Sequence, residues 1–200
     1  MLGAMIDEFA KEYLHGDLRE ARETVVWKLD GLSEYDVRRP LTPTGTNLLG
    51  LVKHLTRTEA RYFGDAFGRP FPEPVPGHGD DAELDADKWV TADESRDEII
   101  DRYLRVSAHS DETINELRVD APGHVAHWPR PDVKLFNVLV HVLTETTRHA
   151  GHMDILRETL DNAVGTDLAT AKYLDRGAGY WEAHYARVEE AAKPFSATSP

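Results

Sequence analysis

Residues 133–160, VKLFNVLVHVLTETTRHAGHMDILRETL, carry the reading of the fold. On a helix turning about 100° per residue, Val138, Val142, Met153, Leu156 and Leu160 share one apolar stripe. Such a stripe predicts a long helix from about Val133 to Leu160 with one face in a core. Glu145 and His149 stand in the middle of that stripe, with His141 and His152 on its flank. A carboxylate in an apolar seam is costly unless it is paired or bound to metal. The spacing Glu145-x3-His149-x2-His152 sets three potential ligands one turn apart, and i, i+4 side chains converge most easily on one ion. A metal would need one more ligand from elsewhere, and His54 is the candidate. His54 lies roughly 120° from the centre of its own helix's apolar stripe, beside Leu51, Thr58 and Tyr62, so periodicity does not turn it inward. The chain has ten histidines, and a Glu–His i, i+4 pair is also an ordinary helix ion pair. Spacing alone leaves a metal site and a structural cluster both open.

Three more segments have helical periodicity. One runs from about Met5 to Leu32, a second from about Thr46 to Phe67, where Gly68 stops it, and a third from Thr91 to about Leu117. Thr91 and Glu94 match the S/T-x-x-E capping box. Convincing alternating strands are absent. A fifth segment, about Asp167 to Ala192, reads as a helix broken at Gly177 and Gly179, with Tyr180, Trp181 and Tyr185 as its packing stripe. The predicted architecture is all-α: a four-helix bundle with long loops and an added C-terminal helical segment. It forms one domain over residues 1–193 with a flexible tail at 194–200.

Two connections stand out. Between Gly68 and Val90, prolines at 70, 72, 74 and 76 impose an extended path that leads into the acidic run Asp80, Asp81, Glu83, Asp85, Asp87. That run reads as a solvated loop or docking surface, well separated in sequence from the ligands. The second connection, 121–132, carries His124, His127 and Trp128 just before the metal-bearing helix, where it can fold over one end of a site. Arg148 and Arg157 flank the site on that helix and Arg57 and Arg61 follow His54, each either a substrate-carboxylate anchor or an exposed helix arginine paired with Glu145, Glu158 or Glu59.

Composition narrows the chemistry. With 23 Lys+Arg against 36 Asp+Glu the formal charge is −13, which repels phosphate backbones, and no basic stripe offsets it, so no nucleic-acid partner is expected. No window approaches the ~20 apolar residues of a membrane span, and the N-terminus lacks a signal-peptide pattern. A cytoplasmic protein is expected. Zero cysteine excludes disulfides, thiolate metal sites and a cysteine nucleophile. A nitrogen and oxygen ligand set suits zinc or nickel, with iron or manganese as alternatives.

The stretch Leu48-Leu-Gly-Leu-Val-Lys-His-Leu55, with Glu145-Thr-Thr-Arg-His-Ala-Gly-His-Met-Asp-Ile-Leu-Arg157, resembles the DinB/YfiT-like superfamily, nearest an actinobacterial branch. The family pattern is one histidine on the second helix and a ligand-x3-His pair on the last core helix. His54 and His149 match it; Glu145 stands where many members have histidine, and His152 where many have glutamine. A relative, mycothiol-dependent maleylpyruvate isomerase, is similar in using His, Glu and His as zinc ligands. The resemblance thus implies a metal held by His54 and His149, with Glu145 or His152 as third ligand. Members of the superfamily use mycothiol, bacillithiol or glutathione. The function implied is a metal-dependent thiol S-transferase or isomerase acting on a small electrophile, or a hydrolase using metal-bound water. Arg148, His124 and Trp128 are then substrate-binding candidates. The alternatives are a non-catalytic metal-binding or stress-response protein with a vestigial site, and an interaction protein docking through the acidic loop. A homodimer through helix faces is compatible with all three.

Overall fold

A computed structural model describes residues 2–77 and 85–196. The chain folds as α1 (Leu2–Trp27), α2 (Glu34–Arg38), α3 (Leu48–Glu59), α4 (Arg96–Glu116), β1 (Pro122–His124), β2 (Asp132–Lys134), α5 (Leu135–Asp161), α6 (Leu168–Leu174) and α7 (Ala178–Ala192). Helix α3 continues through a π-helical turn at Ala60–Gly64 and a 3₁₀ turn at Asp65–Phe67. α1 packs chiefly on α5 and α3 on α4, while α5 also touches α3, giving the expected all-α bundle. The chain leaves the 3₁₀ turn at Gly68, whose φ of 67° no β-branched residue would adopt readily.

Several boundaries differ from the sequence reading. Helix α1 stops at Trp27, and the short α2 begins instead where the Ser33 hydroxyl accepts the Asp36 N–H at 3.1 Å. Helix α4 begins at Arg96 rather than Thr91. A second S-x-x-E pattern four residues later wins, because the Ser95 hydroxyl accepts the Glu98 N–H at 3.1 Å. Glu94 still bonds back to Thr91, accepting its N–H at 2.9 Å, and it also pairs with Lys53 at 2.8 Å. Residues 121–134, read without strands, form a small antiparallel hairpin with Gly123 opposite Val133. The C-terminal segment is broken at Gly177 as expected, whereas Gly179, the second expected break, lies inside α7. Its stripe is less covered than expected: Tyr180, Trp181 and Tyr185 keep 42–72% of their surface. The tail begins with a 3₁₀ turn at Lys193–Phe195, and 197–200 lie outside the described residues, as do Asp80, Asp81 and Glu83 of the acidic run.

The core has two large apolar clusters with a polar layer between them, and a smaller third cluster of Ala60, Val75 and Val106. One large cluster holds Leu29, Leu48, Val52, Leu55, Tyr103, Met153 and Leu156; the other holds Leu18, Phe63, Ile114, Leu135, Val138 and Val142. On α5 the gap between Val142 and Ala150 contains Glu145 and His149. On α3 the gap between Leu55 and Tyr62 contains Glu59, whose carboxylate takes two bonds of 2.7 Å from Arg22. Arg22 also reaches Asp111 at 2.6 Å, and His15 meets Asp111 at 2.7 Å. These charges tie α1, α3 and α4 together at mid-bundle. A cavity of about 1090 Å³ between α7 and the bundle end, lined by Trp27, Trp181 and Tyr185, involves none of the candidate ligands.

Candidate metal centre

Helix α3 is buried on almost every side, from Leu48 through Glu59. A helix without a solvent face has no single inward direction, so its apolar stripe cannot locate His54. The His54 ring lies edge-on to the His149 ring with centroids 5.0 Å apart. His54, Glu145 and His149 each offer one ligand atom, and those three atoms lie within 4.8 Å of one another.

The fit can be tested against coordination geometry. Tetrahedral ligands at bonds of ~2.1 Å stand roughly 3.4 Å apart. His149 Nε2 and Glu145 Oε2 are 3.5 Å apart, too long for a strong hydrogen bond and right for two atoms sharing an ion. Three candidate ligands without sulfur, each half-buried, would leave room for exogenous ligands on a bound ion, the pattern of open rather than closed sites. His152 is exposed and outside this trio; its Nδ1 lies 3.3 Å from His149 Nδ1, on the far side of that ring.

Burial, reinforced by His54 and only partly countered by Glu145, pushes the His149 imidazole down to about 4. His149 is therefore neutral, with a lone pair to give, across the physiological range. Its folded value lies below the 6.5 of the free side chain, so between these values the unfolded chain binds more protons. Stability of the metal-free protein should then rise with pH across that window and fall as pH drops from about 6.5 toward 4. Thermal midpoints measured in chelator over this range should show the slope in wild type, and His149→Ala should flatten it.

A further carboxylate enters from an unexpected place. Asp87, at the end of the acidic run, has only 5% of its side chain exposed and sits 2.6 Å from His54 Nδ1. The same oxygen accepts from Arg57 Nη1 at 3.0 Å. Burial opposes its ionisation, but the His54 hydrogen bond and the nearby positive charges outweigh that and hold Asp87 well below the usual carboxylate range. The run read as remote thus supplies a buried residue beside the ligands. Nothing in the sequence separates Asp87 from Asp80, Asp81 or Asp85; only the chain's return onto α3 does.

The other candidates divide. Arg148 is exposed on the helix beside His149. Arg157 is buried away from the trio, bonded to Asp161 and to the Lys28 carbonyl. His124 turns outward, 60% exposed and 3.0 Å from Asp132. Trp128 instead donates its indole N–H to the Tyr62 hydroxyl at 3.2 Å, and Tyr62 lies 3.2 Å from His127 Nε2. His141, one turn before Glu145, packs edge-on against both Tyr62 and Trp128. Burial lowers the His141 and His127 imidazoles, with Arg61 adding to the effect on His127. Tyr62 was legible only as a helix residue, because the π-helical turn that carries it departs from the 3.6-residue period.

No helix among the described residues is long and apolar enough to cross a membrane. No curated protein matches the chain. The family model described as mycothiol S-transferase matches residues 13–162, which contain all three members of the trio and exclude α6 and α7, and the chain therefore belongs to the mycothiol S-transferase family within the DinB/YfiT-like superfamily.

Proposed function

We propose that this protein is a divalent-metal-dependent mycothiol S-transferase acting on a small electrophile, with His54, Glu145 and His149 as its metal ligands. The observation that carries this reading is the meeting of three nitrogen and oxygen donors, from two helices, within 4.8 Å at mid-bundle. Zinc and nickel both suit the donor set. Glu145 rather than His152 is the third ligand in this reading, since His152 meets only the far nitrogen of His149.

When bound, the metal supplies electrostatic activation of a thiol whose free pKa is near ~8.5, keeping it ionised at neutral pH. The chain has no thiol of its own, so in this reading the nucleophile is the cosubstrate's. Neutral His149 has a lone pair to give without prior proton loss. The wall made by Tyr62, Trp128, His127 and His141 lies one turn along α5 from Glu145 and offers flat apolar faces with ordered polar tips. In this reading it receives the electrophile, and Arg148 lies at the open rim.

Thermal denaturation with zinc or nickel, with and without mycothiol, tests the proposal. The metal should raise the melting temperature, and mycothiol should raise it further only when metal is present. Stabilisation by metal with no response to thiol would favour a vestigial site, and no response to either would remove the metal centre altogether.

A further inference from the structure

We propose that Asp87 is the positioning residue of this centre, fixing the tautomer and orientation of His54, and that segment 85–89 is a strap whose docking on α3 and the metal affinity of the site reinforce each other. This rests on the metal reading above. Asp87 Oδ2 lies 2.6 Å from His54 Nδ1, and a hydrogen on Nδ1 donated to that oxygen leaves Nε2 as the lone-pair nitrogen. A carboxylate behind a ligating histidine raises ligand basicity and holds the ring in place.

The strap is built to deliver that carboxylate. A Cβ on Gly50, one turn before His54, would stand 2.1 Å from the Lys88 carbonyl oxygen, so only glycine admits the backbone so near α3. A Cβ on Gly77, whose φ is +75°, would meet the Asp87 Cβ at 2.8 Å from the other side. Lys53 Nζ donates to the Trp89 carbonyl at 3.1 Å, and Arg57 Nη1 donates at 3.0 Å to the same Asp87 oxygen that meets His54. Three consecutive positions, Asp87, Lys88 and Trp89, are therefore held against one helix, with Asp87 beside His54. Because a docked strap favours the metal-ready histidine, a bound metal must equally favour the docked strap.

The test is zinc affinity of the full-length protein by competition with a chromophoric chelator, with hydrogen exchange of amides 85–89 followed with and without zinc. Asp87→Asn should bind zinc roughly 10–100-fold more weakly than wild type. Asp87→Glu should recover part of that loss, and Arg57→Gln should stay within about threefold of wild type, because Arg57 touches the carboxylate but not the ligand. Zinc should slow exchange at 85–89 in wild type and not in Asp87→Asn. Gly50→Ala provides a second route, keeping every polar group while pushing the strap outward, and should also weaken zinc binding. Wild-type affinity in Asp87→Asn, alongside loss of zinc in His54→Ala, would overturn the proposal and leave the metal centre intact. An equal loss in Arg57→Gln and Asp87→Asn would assign the effect to strap anchoring alone and overturn the positioning role. Zinc affinity that does not change in His54→Ala would instead defeat the metal reading itself, and Asp87 with it.

Discussion

Replacing His149 by alanine is expected to yield a folded protein that no longer retains a divalent metal. Structural zinc sites with four ligands are worth about 10–16 kcal/mol, so each ligand carries roughly 3–4 kcal/mol, or two to three decades in Kd. His149 lies in the polar gap between the two apolar clusters, so its loss removes a donor without opening the hydrophobic core. The melting temperature of the metal-free variant should stay within a few degrees of wild type. His152→Ala is the informative partner. If Glu145 is the third ligand, His152→Ala should cost at most about tenfold, since it acts only through His149 Nδ1. A loss as large as that of His149→Ala would transfer the ligand role to His152. Elemental analysis of protein purified without chelator and a chelator titration read both outcomes.

Glu59→Ala should be the most destabilising single substitution in the polar layer. Glu59 is fully buried and accepts two bonds of 2.7 Å from Arg22, whose side chain is itself only 6% exposed. Removing one partner of a buried pair strands the other charge, at a cost of about 3–5 kcal/mol. Arg22 keeps Asp111 at 2.6 Å, which places the expected loss toward the lower end of that range. For a chain of this length that corresponds to a fall of roughly 10 °C in melting temperature. Replacing Arg22 and Glu59 together by apolar residues of similar volume should recover most of it, because the desolvation cost disappears with the charges. A drop below about 1 kcal/mol in denaturant unfolding of Glu59→Ala would show that this layer is hydrated rather than dry.

Helix α5 was readable almost to the residue. Its stripe, its length and the convergence of Glu145 with His149 all follow from the 3.6-residue period, which acts within one element. Positions that depend on how elements meet were less legible. Thr91 and Ser95 both carry an S/T-x-x-E pattern, and local chemistry does not rank them; in the fold the helix starts at Ser95, while Glu94 bonds back to Thr91 and across to Lys53. Glu59 was readable as a partner for neighbouring surface arginines, yet it lies under α1 and pairs with Arg22, 37 residues away. Arg157 likewise looked like part of the site rim and is instead buried against the Lys28 carbonyl.

By itself the sequence determined a helical bundle, three potential ligands on one face of one helix, and the absence of any thiol to serve as ligand or nucleophile. Those properties are local or compositional, so no packing is needed to read them. Only the tertiary structure decided that His54 faces His149, that Glu145 and not His152 stands with them, and that Asp87 returns from an acidic loop to the back of His54. Each of these depends on where two segments far apart in sequence come to rest, down to the room that Gly50 leaves for the Lys88 carbonyl. Helical periodicity sets the direction of a side chain relative to its own axis, and it takes the packing of axes and loops to make those directions converge on a site.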